Sequence, residues 1–322
     1  MSNYKPPYKI TSRMVNYVSS ISEELTKIEY EEKRIITPML RKKNRIKTLA
    51  GTLEIEGNFL GEEKITAILN GKKVLGTIQE VAEVEGAINA YKELENYNFK
   101  SADDLLKAHN ILMRGILTTA GYFRNVNVGV GEHIAPQPSL VPGLMADLFD
   151  WLKRTNEHPL IMSCIFHYEF EFIHPFSDGN GRIGRLWQSV ILYNWKKVFS
   201  SIPTESIIRD NQKKYYEAIE KSTRIGESTP FIEFMLEVIL DTVVKVGNTV
   251  GSKVGNTLTD NQKNILDEMK LNPKISAQIL SDKVGISKRK IEENIAKLKF
   301  MDLIKRKGGT RGYWEVRDTG SI

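Results

Sequence analysis

The chain has 322 residues, 41% hydrophobic and 27% charged, a balance that suits two folded domains, or one with an appendage, and excludes a largely disordered protein. It holds one cysteine, Cys164, and no apolar run of the ~18 residues that span a bilayer. With no signal core in MSNYKPPYKI, this predicts a reduced, cytoplasmic protein without disulfide, paired-cysteine zinc site or membrane partner. The net charge of +6 is uneven: residues 246–322 carry 15 Lys+Arg against 9 Asp+Glu, which leaves the first 245 balanced. A basic tail on a neutral body fits a nucleic-acid contact or a solvated face.

In chain order, Thr37-Pro38 reads as an N-cap and first helical residue, opening a helix that Gly57 stops. Glu62–Leu69 is a short helix ended by Asn70-Gly71. Ile78–Tyr97 is a longer one, with Ile78, Val81, Ala82 and Ile88 as its apolar face. Ser101 caps a helix whose face is Leu105, Leu106, His109, Leu112 and Met113, with Asp103 and Asp104 at its positive end. Val126, Val128 and Val130 alternate like a strand, and Gly129 and Gly131 let it turn back near Ile134. Helices resume over 141–154, 159–173, 180–195, 209–222 and 230–244. Residues 246–257 repeat VGNT, VGSK, VGNT; a glycine every fourth residue costs a helix about 1 kcal/mol each, so this is a flexible connector or a weak continuation of the preceding helix. Three short helices (260–269, 276–284, 287–298) and two strands around Gly308-Gly309 then spell a winged helix, with Lys288, Arg289 and Lys290 opening the third helix.

The chemistry concentrates in residues 174–185, HPFSDGNGRIGR. Gly179, Gly181 and Gly184 spell G-x-G-x-x-G, but a dinucleotide fold needs a strand before them and an acid about 20 residues on. The preceding segment reads as a helix and 197–203 hold no acid, so that fold is rejected. A glycine turn at a helix start still presents free N–H groups to an anion. Arg182 and Arg185 share one helix face, where they can grip a polyphosphate. Asp178 is a hard oxygen ligand suited to Mg2+, and His174 is the group that can act as base near neutrality. Together they describe a phosphoryl- or nucleotidyl-transfer site.

The segment also resembles the signature of the Fic family, H-P-F-x-[DE]-G-N-G-R-x-x-R, at all nine specified positions. GYFR at 121–124, Pro136-Gln137-Pro138 and Tyr215-Tyr216 are similar to the surroundings of that signature. The resemblance implies a mainly α fold: an N-terminal helical region (1–100) with an inhibitory helix at about 37–57, a Fic core (101–245) with a β-hairpin flap, a linker (246–257) and a winged helix-turn-helix domain (258–322). It implies transfer of AMP from ATP to a protein hydroxyl, with Mg2+. His174 would be the base, Asp178 the metal ligand, and Gly179, Asn180 and Gly181, with Gly184 beside them, the anion hole. Arg182 and Arg185 would hold the β- and γ-phosphates and Tyr215 would pack on adenine. The flap over 122–138, around Gly131, Glu132, His133 and Ile134, would touch nucleotide and dock an extended target segment.

Thr52-Leu53-Glu54-Ile55-Glu56-Gly57 matches the inhibitory pattern [ST]-x-x-x-E-[GN] of the same family, which implies that Glu56 pairs with Arg185 and takes the γ-phosphate space. The rival readings are AMP removal by the same site, transfer of UMP or phosphocholine, and a DNA-binding regulator working through the winged helix. Under the AMP-transfer reading the protein itself, or its mate in a homodimer, is a further candidate target, because the flap can take any extended segment. His167 and His109 read as packed helix residues, Cys164 as core, and Trp151 and Trp187 as packing residues.

Overall fold

The computed structural model describes residues 4–35, 38–130, 133–255, 258–300, 303–308 and 312–316. It divides into two compact units, residues 1–30 with 41–247 and residues 31–40 with 248–322. The fold is mainly helical.

All or most of each of α1 (Ser12–Ile35), α2 (Pro38–Ile55), α3 (Gly61–Leu69), α4 (Ile78–Lys92) and α5 (Ala102–Met113) belongs to the first unit, and they lead to a hairpin of β1 (Gly129–Val130) and β2 (His133–Ile134). Helices α6 (Val141–Arg154), α7 (Pro159–Ile173), α8 (Asn180–Trp195), α9 (Thr204–Asp210), α10 (Gln212–Ile225) and α11 (Thr229–Gly255) follow. The centre is α7 packed on α8. Apart from Pro159 and Phe172, all of α7 is buried, so it has no solvent face. Phe166, Phe170 and Trp187 lie fully inside, each contributing ~1.5–3 kcal/mol by burial. The α1 stripe of Met14, Ile21, Leu25 and Ile28, at helical spacing, is buried as well.

Several elements depart from the sequence reading. Ile78 is 91% exposed, and α4 instead buries Val84, Gly86, Ala87, Ala90 and Tyr91. The small residues win because α5 lies so close that a Cβ on Gly86 would stand 2.2 Å from the Leu112 carbonyl. Helix α4 also ends at Lys92, before a short 3-10 turn at Leu94–Asn96. The expected strand at Val126–Val130 shrinks to two residues because a guanidinium, described below, takes the Val126 and Pro136 carbonyls from the ladder. The helix expected over 209–222 is two, broken at Asn211, whose side chain bonds back to Ile207 O at 3.0 Å. Helix α11 runs on through the valine-glycine repeat to Gly255. The Thr37 cap lies outside the described residues.

In the second unit, α12 (Asp260–Leu271), α13 (Ala277–Val284) and α14 (Lys288–Phe300) pack with β3 (Ile304–Lys307) and β4 (Tyr313–Val316) around Ile265, Met269, Leu280, Ile291, Leu298 and Trp314. The strands pair antiparallel, Ile304 with Val316 and Lys307 with Tyr313. Gly285, at φ 76°, makes the turn between α13 and α14 that a residue with a Cβ would strain. Lys288, Arg289 and Lys290 are exposed at the start of α14, and Lys305, Arg306 and Lys307 are exposed on β3.

Candidate active site

Helix α7 ends by delivering His174. Its N–H bonds Phe170 O at 2.9 Å, and its backbone turns left-handed, φ 49° and ψ 62°, the one positive φ outside glycine among the described residues. Such a conformation costs a residue with a Cβ ~1–2 kcal/mol. Arg124, buried below, offsets it. Its Nε donates to His174 O at 2.7 Å, and its Nη atoms donate to Val126 O, Pro136 O and Ile173 O at 3.0, 2.5 and 3.4 Å. Its own N–H donates to Pro175 O at 2.9 Å. One guanidinium thus ties both legs of the hairpin to the histidine turn.

The loop after His174 is closed from within. Asn180 accepts from Phe176 N–H and donates to Phe176 O, both at 2.8 Å. The Phe176 ring stacks on the His109 ring at 3.6 Å. His109 Nδ1 accepts from Gly121 N–H and Nε2–H donates to Asp178 O, each at 2.9 Å. Burial pushes the His109 imidazole down to about 4, so it is neutral near pH 7 and this tautomer is fixed. Gly179 starts α8 at φ 81°, where a Cβ would meet Met113 Sδ at 2.7 Å. The first backbone bond of α8 is Ile183 to Gly179, so the N–H groups ahead of it face the loop. Asp178 Oδ1 accepts from Gly179 N–H at 2.6 Å and lies 3.4 Å from Arg182 Nη2; its side chain is 55% exposed.

Two arginines rise from α8. Arg182 Nη1 is also 3.6 Å from Glu83. Arg185 is almost wholly buried. Its Nε donates to Thr52 Oγ1 at 3.1 Å, and its Nη2 donates to Thr52 O at 3.2 Å and to Glu56 Oε1 at 2.7 Å. Burial is the strongest single influence and opposes its charge, but the neighbouring acidic groups, Glu56 first among them, together outweigh it and hold the guanidinium above its ordinary basicity. Gly181 faces the same carboxylate: a Cβ there would meet Glu56 Oε1 at 2.5 Å and Arg185 Nη1 at 3.0 Å. The end of α2 is fixed by Arg209 on Glu54 at 2.8 Å, Gln212 on Ile55 O at 2.9 Å, and a left-handed Gly57.

The remaining sequence candidates are placed as follows. Tyr215 is buried, its hydroxyl 3.0 Å from His167 Nε2, while Tyr216 beside it is 47% exposed. Gly184 packs on α7 against Glu171, Phe170 and His167. His133 and Ile134 form β2, paired with Val130 and Gly129. Gly131 and Glu132 lie outside the described residues.

This arrangement has known relatives. The Fic/DOC family model matches residues 99–192, and a winged helix-turn-helix DNA-binding model matches residues 258–305. A crystal structure of a Fic family protein from Desulfovibrio desulfuricans G20 superposes with a TM-score of 0.75 at 38% identity, over 99% of this chain and 100% of that one. The chain belongs to the Fic family. Among curated relatives, protein adenylyltransferase Fic of Culex quinquefasciatus is 31% identical over 194 residues, 57% of this chain and 38% of the relative. Protein adenylyltransferase fic-1 of Caenorhabditis briggsae is 27% identical over 240 residues, 70% of this chain and 46% of the relative. The chain therefore spans less than half the length of these curated relatives.

The Fic match contains His174–Arg185 and Arg124; Glu56 and Tyr215 lie outside it. Sequence reasoning missed Arg124 and His109 as supports of the His174–Arg185 loop. Arg124 stood inside GYFR. Nothing local marks His109 as a brace.

Proposed function

We propose that this Fic protein is a protein adenylyltransferase, moving AMP from ATP to a Ser, Thr or Tyr hydroxyl of a target protein, and that Glu56 restrains it. The observation that carries the reading is the cradle beside Gly181. A carboxylate rests against a missing Cβ and a buried arginine, at the start of the helix that follows the His174 loop. Such a cradle suits a phosphate.

The proposed step balances simply. The target hydroxyl oxygen attacks the α-phosphorus and its proton passes to His174. The bond from that phosphorus to the β-phosphate bridging oxygen breaks, and the electron pair leaves with pyrophosphate. The N–H groups of Asn180 and Gly181 would hold the α-phosphate oxygens, Arg182 the β-phosphate and Arg185 the γ-phosphate. With Glu56 in the cradle, the γ-phosphate loses both its space and its counter-charge, and the triphosphate cannot settle in line.

Asp178 is suited to Mg2+ because its carboxylate faces solvent at the rim of the loop. Among the described residues no group of three or more His, Cys, Asp or Glu could hold a metal ion, so phosphate oxygens and waters would complete the shell, as Mg2+ usually prefers. Bound there, the ion would neutralise phosphate charge. The hairpin supports docking of an extended target segment, because a two-stranded sheet leaves an open edge on each strand.

A second reading concerns the tail. Exposed Lys288, Arg289 and Lys290, with Lys305, Arg306 and Lys307 on the wing strand, favour contact with nucleic acid phosphates.

The test is position-specific label. Glu56→Gly protein with cell lysate should incorporate label from α-labelled ATP and none from γ-labelled ATP. Label from the γ-position would replace AMP transfer with phosphoryl transfer. Loss of label from a pre-modified target would favour AMP removal.

A further inference from the structure

Glu171 is a buried carboxylate for which the mechanism above has no use. It lies on α7, one turn before His174, with 7% of its surface exposed. Its Oε2 is 3.9 Å from His174 Nδ1, and its Oε1 is 3.7 Å from His167 Nε2. Oε1 has no hydrogen-bond partner among the described residues. Burying a carboxylate costs several kcal/mol unless its surroundings return the charge interaction. Here they do: burial opposes ionisation, and His167, His174 and Arg185 outweigh it, holding the carboxyl below its ordinary value.

The fold makes room for this group at a cost. A Cβ on Gly184 would meet Glu171 Oε1 at 2.7 Å. Gly184 fills one of the two open positions of the R-x-x-R segment, so the signature itself does not require glycine there. Glycine inside a helix is ~1 kcal/mol worse than alanine. The carboxylate supplies the reason for it.

We propose that Glu171 is a positioning residue for His174: its carboxylate faces Nδ1, keeps the proton on that nitrogen so that Nε2 is the base, and stabilises the imidazolium formed when the target hydroxyl gives up its proton. No covalent bond to Glu171 forms or breaks; the one proton moved goes from the hydroxyl to His174 Nε2. The role rests on the adenylyltransferase reading above, but its electrostatic core is testable without any turnover. Around this pair stand His167 on the same helix, Arg185 on α8 balanced by Glu56 from α2, and Tyr215 on α10. Burial keeps the Tyr215 hydroxyl protonated, so it adds no charge.

The experiment is an NMR titration of the His174 ring in the full chain, with the signal identified by its loss in His174→Ala. Only 5 histidines need resolving. In Glu171→Gln, which keeps shape and removes charge, the midpoint should fall by about one pH unit. In Gly184→Ala, which crowds the carboxylate while keeping its charge, it should fall by less. An unchanged midpoint in folded Glu171→Gln overturns the proposal. Should Glu171→Gln not fold, an unchanged midpoint in Gly184→Ala does so. In the Glu56→Gly background, Glu171→Gln should lower kcat ~10–100-fold, with the KM for ATP unchanged and the acid limb of the pH–rate profile moved down. Equal kcat in the two variants contradicts the role. No label transfer by Glu56→Gly itself contradicts the adenylyltransferase reading instead, and the NMR titration still decides the placement of the charge.

Discussion

Arg185 Nη2 donates to Glu56 Oε1 at 2.7 Å across 129 residues of sequence, and Arg185 reaches Thr52 of the same helix through two further bonds. The last turns of α2 are therefore bound to the first turns of α8 by one guanidinium. Removing Glu56 should matter twice, because it takes a partner from a buried charge and clears a place for phosphate. Thr52 remains to hold the arginine, so the stability loss in Glu56→Gln should be ~1–3 kcal/mol rather than the larger cost of fully stranding a buried ion. ATP should then raise the melting temperature of Glu56→Gln more than that of wild type. Equal shifts in both would mean that Glu56 does not compete with nucleotide.

Gly181→Ala separates the part of the cradle from that of Glu56. In the Glu56→Gly background the new methyl faces Arg185 Nη1 at 3.0 Å and fills the space left by the carboxylate. Transfer should drop at least ~10-fold relative to Glu56→Gly alone, the scale of losing one anion-stabilising contact. Unchanged transfer would show that no phosphate uses that space.

Arg124 is the strut under the site. Arg124→Ala leaves the His174, Val126, Pro136 and Ile173 carbonyls short of a donor, which should cost ~3–5 kcal/mol and lower the unfolding midpoint accordingly. Arg124→Lys restores a point charge without the fork and should fall between the two. A wild-type midpoint in Arg124→Ala would contradict this role.

The pH dependence of stability has a defined source away from the site. Glu169 accepts from Tyr4 Oη at 2.7 Å, and burial pushes its carboxyl up from 4.5 to about 7, against the lowering effect of that hydrogen bond. A folded value raised above the unfolded one means the stability is fully present below pH 4.5 and is lost as pH rises through 7. The difference amounts to ~3 kcal/mol. Glu169→Gln, which keeps an acceptor for Tyr4, should melt higher than wild type at pH 8 and lose this dependence. An identical slope between pH 4.5 and 8 in the two proteins would contradict it.

Much of the site was legible because its parts are local. His174, Asp178 and the two arginines sit within twelve residues, and the helices on either side carry plain caps and periods. Glu56 was legible through its pattern, although the distance to Arg185 was not. What escaped depends on long-range proximity. The apolar face assigned to α4 was wrong because the approach of α5 rewards Gly86 and Ala87 over larger Ile78. The hairpin was drawn too long because no sequence pattern shows Arg124 taking carbonyls from the ladder. Glu171 reads locally as one more polar residue in an apolar helix; its meaning needs Gly184 and Arg185 beside it. Helix α1, whose buried stripe spans Met14 to Ile28, went unread at residue level beside the stronger signals downstream.

For the tail, binding of the full chain to a DNA duplex should weaken with salt, and Lys288, Arg289 and Lys290 replaced together by Ala should reduce the slope of log K against log salt by about 3, near one unit per lost phosphate contact. An unchanged slope would move the surface to a protein partner.

The central claim is tested most directly by incubating wild type, Glu56→Gly and Glu56→Gly/His174→Ala with α-labelled ATP and Mg2+, alone and with cell lysate. The account predicts faint label with wild type, strong label with Glu56→Gly and none with the double variant. Equal label with wild type and Glu56→Gly, or label that survives the loss of His174, would contradict it.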